Sequence, residues 1–186
     1  MMKLIMWNLI TLDGYFEGEK NWDLDFHDLV WGEELKQFSV EQLKSADMLI
    51  FGEVTYEGMA KYWPKAKGEI ADFMNRIQKV VCSQRLKSAD WNNTLIVNDA
   101  VVEIPKLKRG GNGNMFVFGS GVLSESLMKA NLFDEYRIVI VPVILGKGRH
   151  LFNPGLDYQK LKLLESQPLS SGGVILRYAP VGADGK

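Results

Sequence analysis

Residues 116 to 121 read Phe116-Val117-Phe118-Gly119-Ser120-Gly121, an apolar strand that closes in a Gly-Ser-Gly turn. A helical pattern starts at once, with Leu123, Leu127 and Ala130 spaced four and then three apart. A strand that turns directly into a helix leaves backbone N–H groups and the positive end of the helix dipole at the strand's C-terminal edge, which suits a phosphate. The arrangement recurs earlier, where Met48-Leu49-Ile50-Phe51 is closed by Gly52 and Glu53-Val54-Thr55-Tyr56-Glu57 begins a helix. Two such turns at neighbouring strand ends hold a pyrophosphate from both sides.

The rest of the chain alternates strands with helices. A first strand over residues 3 to 11 leads into an Asp13-Gly14 turn, and a helical pattern runs from about Phe26 to Lys44 with Trp31, Leu35 and Phe38 on one face. A strand at 47 to 51 and a helix at about 54 to 62 follow, ended by Trp63-Pro64. Another helix at about 68 to 77 precedes strands at 79 to 82 and 94 to 97. A helical or irregular stretch then reaches Lys108, and Gly110-Gly111-Asn112-Gly113-Asn114 is a flexible turn. Past the helix at about 121 to 131 come the β-prone run Tyr136–Val143 and strands near 161 to 165 and 174 to 178. The pattern predicts one α/β domain over residues 1 to 180, with a mostly parallel sheet and antiparallel C-terminal edge strands. Residues 181 to 186 carry no pattern and are expected to be a mobile tail.

Composition removes several functional classes. The net charge of -1 provides no broad basic surface for nucleic acid, and no run approaches the length of a membrane-spanning helix. The lone Cys82 forms no internal disulfide, which fits the cytoplasm, and its apolar neighbours make it a core residue rather than a nucleophile. His27 and His150 do not combine with cysteine into a metal cluster, so no metal is expected. Gly119-Ser120-Gly121 continues with Val122, Leu123 and Ser124, which lacks the third glycine of a Rossmann fingerprint. Neither a P-loop nor a Gly-x-Ser-x-Gly nucleophile elbow is present.

Several segments occur in the order seen in the dihydrofolate reductase-like superfamily. They are Asp13-Gly14-Tyr15, Gly52-x-x-Thr55-Tyr56-Glu57, Phe118-Gly119-Ser120-Gly121 with Leu123, Asp134-Glu135-Tyr136, Pro142-Val143-Ile144-Leu145-Gly146-Lys147-Gly148, and Leu151-Phe152. The chain most resembles the branch containing the reductase domain of bifunctional riboflavin biosynthesis proteins. That resemblance implies a dihydrofolate reductase-like sheet of about eight strands with flanking helices. It also implies a reductase that passes hydride from NADPH to a pteridine-like or aminopyrimidine substrate, such as 5-amino-6-(5-phosphoribosylamino)uracil. The zinc-site signatures of a deaminase domain are missing, so the resemblance implies a stand-alone reductase.

By the same match, Gly52, Glu53, Val54 and Thr55 and, opposite them, Gly119, Ser120, Gly121, Val122 and Leu123 would bracket the cofactor. Ser83, with Gln84 and Arg85, would lie near the adenosine ribose. Glu53 stands where the family commonly has arginine; a carboxylate there would repel a 2′-phosphate and accept hydrogen bonds from a free ribose diol. NADH is therefore the alternative to NADPH, with Arg85 in the next loop able to restore the missing charge.

Asp28 matches the active-site carboxylate of dihydrofolate reductases, and helix capping is its ordinary reading. The match also places the Asp13 loop beside nicotinamide and substrate, with Tyr15, Trp22 and Tyr56 as stacking partners. Lys147 and Arg149 are candidates to meet a substrate phosphate. Members of the resembled branch are often dimers, and the apolar run Tyr136–Val143 is a candidate homodimer surface. A non-catalytic nucleotide-binding protein of the same fold, or a reductase of another small-molecule class, fits the same residues.

Overall fold

The computed structural model describes residues 1–182, so the expected mobile tail lies mostly outside the described residues. The chain begins with β1 (Lys3–Thr11) and β2 (Tyr15–Glu17), then a single 3-10 turn, Asp25–Leu29, and α1 (Glu33–Lys44). Next come β3 (Ala46–Gly52), α2 (Glu53–Tyr62), α3 (Glu69–Arg76), β4 (Gln78–Cys82), β5 (Thr94–Val97) and α4 (Ala100–Lys108). They are followed by β6 (Asn114–Phe118), α5 (Gly121–Lys129), β7 (Glu135–Val141), β8 (Arg149–His150), β9 (Leu161–Pro168) and β10 (Val174–Pro180).

Eight strands form one sheet in the order β5-β4-β3-β6-β1-β7-β10-β9, and β2 pairs with β8 in a separate ribbon. The strands from β5 through β7 run parallel, whereas β10 lies antiparallel to β7 and β9 antiparallel to β10. This is the mixed α/β sheet expected from the sequence. Parallel strands need cover on both faces, and the side chains divide accordingly. Ile5, Leu49, Phe51, Phe116 and Val139 pack on one face, and Met6, Ile50, Val80, Val117 and Leu127 on the other.

Chain order against sheet order creates the site. The chain passes from β1 over to β3, continues outward through β4 and β5, and returns to place β6 between β3 and β1. The register runs Leu49↔Phe116 and Ile50↔Val117 on one side of β6 and Trp7↔Phe118 on the other. The C-terminal ends of β3 and β6 are therefore neighbours, and α2 and α5 start immediately beyond them.

Three local expectations change. The helix expected over residues 26 to 44 is interrupted: Gly32 has φ -174° and ψ -172°, an extended conformation that separates the 3-10 turn from α1. Leu35 keeps its core position at 1% exposure, but Trp31 falls before the helix and is 52% exposed. The β-prone run ends at Val141, because Pro142 has no N–H to extend the ladder. β7 sits between β1 and β10, with Tyr136, Ile138, Val139 and Val141 buried inside the chain, so it offers no face for a dimer.

Candidate active site

A cleft of about 1520 Å³ opens along the C-terminal ends of β1, β3 and β6. Its best-defined part is a clamp between the two strand-to-helix turns. The Gly52 backbone N–H donates to Ser120 Oγ at 2.7 Å, and that hydroxyl donates to Thr55 Oγ1, also at 2.7 Å. One serine thus ties the end of β3 and the first turn of α2 to the turn before α5. Ser120 has φ 57° and Gly119 φ 60°, two successive left-handed residues that fold the turn tightly. Such a conformation costs an L-residue roughly 1–2 kcal/mol, and the two hydrogen bonds of Ser120 hold it.

No side chain caps α2 or α5, because Gly52 has none and the Ser120 hydroxyl is turned toward β3 and α2. The first-turn N–H groups of both helices are left for a ligand. Glycine is required where the backbone approaches closely. A Cβ on Gly52 would lie 3.1 Å from Ser120 Oγ, and one on Gly121 would lie 2.7 Å from the Phe16 ring. The arrangement is a concave anion cradle at two converging helix dipoles.

Beside the cradle, Glu53, Ser83 and Arg85 form one network. Ser83 Oγ and Arg85 Nη2 donate to the two Glu53 carboxylate oxygens, and the backbone N–H groups of Arg85 and Leu86 donate to Ser83 Oγ, both at 3.0 Å. The Ser83 hydrogen bond, then Arg85, holds the Glu53 carboxyl below its usual pKa range. Both Glu53 carboxylate oxygens are therefore engaged at the cleft wall, and the Arg85 charge is already matched. Gln84 lies exposed on the same rim, as do Val54 and Val122, while Leu123 is buried. Cys82 also lines the cleft, and burial followed by the Asp99 charge pushes its thiol up to about 12, in keeping with an inert residue.

A loop between Gly18 and Leu24 borders the other side. Trp22 has φ 66°, its backbone N–H donates to Glu17, and its indole covers Gly58 of α2 so closely that a Cβ there would overlap the ring. Arg149 of β8 donates to Glu17 and Asn21, which fixes the base of this loop. Lys147 pairs with Glu19 at 2.7 Å. Both basic residues expected to meet a substrate phosphate are thus committed to carboxylates.

The acids separate. Asp28 lines the cleft from the 3-10 turn and is exposed. Asp13 does not line it: its carboxylate accepts from Thr11 Oγ1 (2.6 Å), Leu145 N (3.1 Å) and Gly146 N (2.8 Å), tying the first turn to the loop after β7. Those bonds, the Thr11 hydroxyl first, hold its pKa at about 2, which makes it a tether rather than an acid. Tyr15 and Tyr56 also stand off the cleft wall. Tyr15 stacks on His150 with ring centroids 4.0 Å apart, and the buried Tyr56 hydroxyl accepts from Trp91 N at 3.2 Å. Of the three aromatic residues expected at the substrate, the cleft contains Trp22.

Sequence reasoning missed most of the aromatic wall. Trp7 on β1, Trp31 ahead of α1 and Trp63 after α2 join Trp22, so four of the five tryptophans line the cleft. His27 is there too, edge-on to Phe26 at 4.8 Å, with a buried Nε2 that has no partner. Burial, opposed by the Asp28 charge, lowers its pKa to about 4. Histidine type and spacing gave no sign of this, because its burial is set by tertiary packing.

Among the described residues there is no group of His, Cys, Asp or Glu able to hold a metal ion, and no helix long and apolar enough to cross a membrane. The fold is shared with solved structures. A putative riboflavin biosynthesis protein from Shewanella sp. PV-4 superposes with a TM-score of 0.81 at 20% identity, covering 96% of this chain and 99% of that one. Dihydrofolate reductase from Enterococcus faecalis, complexed with NADP(H), superposes with a TM-score of 0.64 at 13% identity, covering 97% and 96%. In sequence, the uncharacterized protein YyaP of Bacillus subtilis (strain 168) is 27% identical over 185 residues, 95% of this chain and 94% of that protein. The RibD C-terminal domain matches residues 2–175, from β1 through the Ser120 clamp and into β10; with the mixed sheet and the cleft at its strand ends, this places the chain in the RibD C-terminal domain family.

Proposed function

We propose that the chain is a nicotinamide-dependent reductase acting on a small planar substrate. The observation that carries this reading is the clamp: two helices without side-chain caps start at adjacent strand ends, joined through Ser120, and glycine at 52, 119 and 121 lets backbone N–H groups approach a ligand. Such a cradle fits the pyrophosphate of a dinucleotide, with Gly52–Thr55 on one side and Gly119–Leu123 on the other. The network of Glu53, Ser83 and Arg85 then meets the adenosine ribose. The likeness of fold to a dihydrofolate reductase complexed with NADP(H) supports a nicotinamide cofactor.

When bound, the cofactor supplies a hydride; the substrate double bond gains that hydride and one proton, and the nicotinamide is oxidised. This chain's residues would bind cofactor and substrate in the one cleft and provide the proton path. Asp28, an exposed acid among the five that line the cleft, passes a proton inward from solvent, while Asp13 keeps the loop at residues 145 and 146 in place. Trp22 and its loop exclude water from one side.

Glu53 neutralises Arg85 and leaves little net charge for a 2′-phosphate, which favours NADH over the NADPH of the resembled branch. The lone, half-buried cysteine agrees with work in the cytoplasm. Pairing of two copies would use the outer strand β9, where Leu161, Leu163 and Leu164 are exposed on an unpaired edge, instead of β7. A monomer in sedimentation at micromolar concentration rejects it.

Titration with NADH and NADPH, followed by the fluorescence of the four cleft tryptophans, tests the central reading. Saturable quenching at sub-millimolar concentration is expected with at least one of them. Absence of binding by both removes the reductase proposal.

A further inference from the structure

The charges and rings around the cleft define the kind of substrate it accepts. Its wall carries the acids Glu17, Asp28, Glu53, Asp99 and Glu125 against the bases Lys67, Arg85 and Arg149, five against three, together with His150 and with His27, which burial keeps neutral at pH 7. Two of the three bases are already paired, Arg85 with Glu53 and Arg149 with Glu17, and Lys67 lies exposed on the rim between α2 and α3. The one other anion-binding device is the backbone cradle, which the proposed cofactor fills. Glu125 is likewise paired, with Lys129, so the unpaired charges on the wall are Asp28 and Asp99 against Lys67; among the described residues, a second phosphate would meet two unpaired carboxylates and one unpaired base, at the rim.

The remaining wall is made for flat apolar surface. Trp7, Trp22, Trp31 and Trp63 stand around it, and Trp31 is 52% exposed although it lies against the cleft. An exposed indole on a cleft wall stabilises little in the free protein and offers a face for stacking. Polar donors accompany it. Gln42 is 3% exposed, and its Oε1 accepts from Arg137 Nη1 at 3.2 Å, so its buried, unpartnered Nε2 is a donor that a ligand would engage with a small turn of the side chain. Arg137 is the register partner of Trp7, which places the Gln42 amide on the side of that tryptophan. Gln42 and His27, whose Nε2 is also unpartnered, both line the cleft.

We propose that the substrate is a flat, uncharged ring compound bearing carbonyl or ring-nitrogen acceptors and no phosphate, held between tryptophan faces and read by Gln42 and His27. This rests on the reductase reading for the use of the site but not for the binding it predicts. It departs from the phosphoribosyl-bearing substrate implied by the resemblance.

A matched pair of probes isolates the phosphate. Riboflavin and riboflavin 5′-phosphate share one planar, carbonyl-bearing ring and differ in that group. Calorimetric titration of the full chain is run without nicotinamide cofactor and with saturating inorganic pyrophosphate, which keeps the phosphate probe off the backbone cradle. Riboflavin is expected to bind at least tenfold more tightly than its phosphate. Trp31→Ala is expected to weaken riboflavin by about tenfold, the scale of one aromatic stacking contact. Because Trp31 is exposed, the variant keeps its fold, which circular dichroism checks. Gln42→Leu, which fills the same space without the donor, is expected to weaken the ring probe as well. Equal or tighter binding of the phosphate, or riboflavin binding indifferent to Trp31, overturns the proposal. Failure of both nicotinamide cofactors with riboflavin binding retained removes the reductase reading alone; cofactor binding with no riboflavin affinity up to its solubility limit removes this one alone.

Discussion

Replacing Ser120 by alanine tests whether the clamp is held by one hydroxyl. The substitution deletes the acceptor of the Gly52 N–H and the donor to Thr55 Oγ1, both at 2.7 Å. Thr55 faces the cleft and its hydroxyl turns to water, so that loss is small. The Gly52 N–H is less fortunate: it is half-buried at the end of a central strand, and an unsatisfied buried donor costs about 1–3 kcal/mol. The αL strain at φ 57° remains with alanine, so Ser120→Ala is expected to lose about 2 kcal/mol. Ser120→Gly loses the same hydrogen bonds but relieves the strain, at the cost of glycine's backbone entropy, and should be less destabilised than the alanine variant by up to about 1 kcal/mol. Urea unfolding of the three proteins with an unchanged m-value measures both differences. Alanine and wild type agreeing within about 0.5 kcal/mol would show that the hydroxyl does not hold the turn. Glycine proving less stable than alanine would show that Ser120 is not strained.

Three further outcomes follow from named groups. Burial lowers the folded-state pKa of His27 from 6.5 to about 4, so the unfolded chain takes up its proton first as pH falls. The His27 contribution is therefore fully present above pH 6.5 and is lost toward pH 4, by at most about 3 kcal/mol; urea midpoints across that range should fall less steeply in His27→Gln, and parallel curves would reject the assignment. Glu53→Gln removes the negative charge that neutralises Arg85, and the ratio of NADPH to NADH affinity is expected to rise by about tenfold. An unchanged ratio would place the 2′ position away from Arg85. With its thiol at about 12, Cys82 should react with iodoacetamide at pH 8 roughly a thousandfold more slowly in the native protein than in urea; comparable rates would mean that the thiol is open to solvent.

What the sequence disclosed divides along a physical line. Strand-then-glycine-then-helix is local chemistry, so both halves of the clamp were readable at Gly52 and at Gly119–Gly121, and the alternation of strands and helices gave the mixed sheet. The joining hydroxyl was not readable, because Ser120 and Thr55 are 65 residues apart and meet through the pairing of β3 with β6. Trp31 shows the opposite failure. Its spacing from Leu35 and Phe38 has helical period, but Gly32 in an extended conformation breaks the helix and moves the indole from core to cleft. Asp13 misled for a related reason: an Asp-Gly turn is visible in sequence, whereas the amides of Leu145 and Gly146 that occupy its carboxylate come from the far end of the chain.

The pairing of cleft charges has a reason beyond stability in the free protein. Glu53 with Arg85 and Arg149 with Glu17 lie on the wall that the proposed flat ligand would cover, and covering an unpaired charge would cost several kcal/mol in lost hydration. A paired charge loses less, since its partner already supplies part of what water gave. The same logic explains why the cradle uses backbone N–H groups. Dipoles would hold a pyrophosphate without adding a mobile cation beside the aromatic wall, so the anionic and apolar halves of the proposed ligand would meet separate surfaces. Trp22, bridging from its loop to Gly58, joins the aromatic wall to the helix whose N-terminus forms half of the cradle.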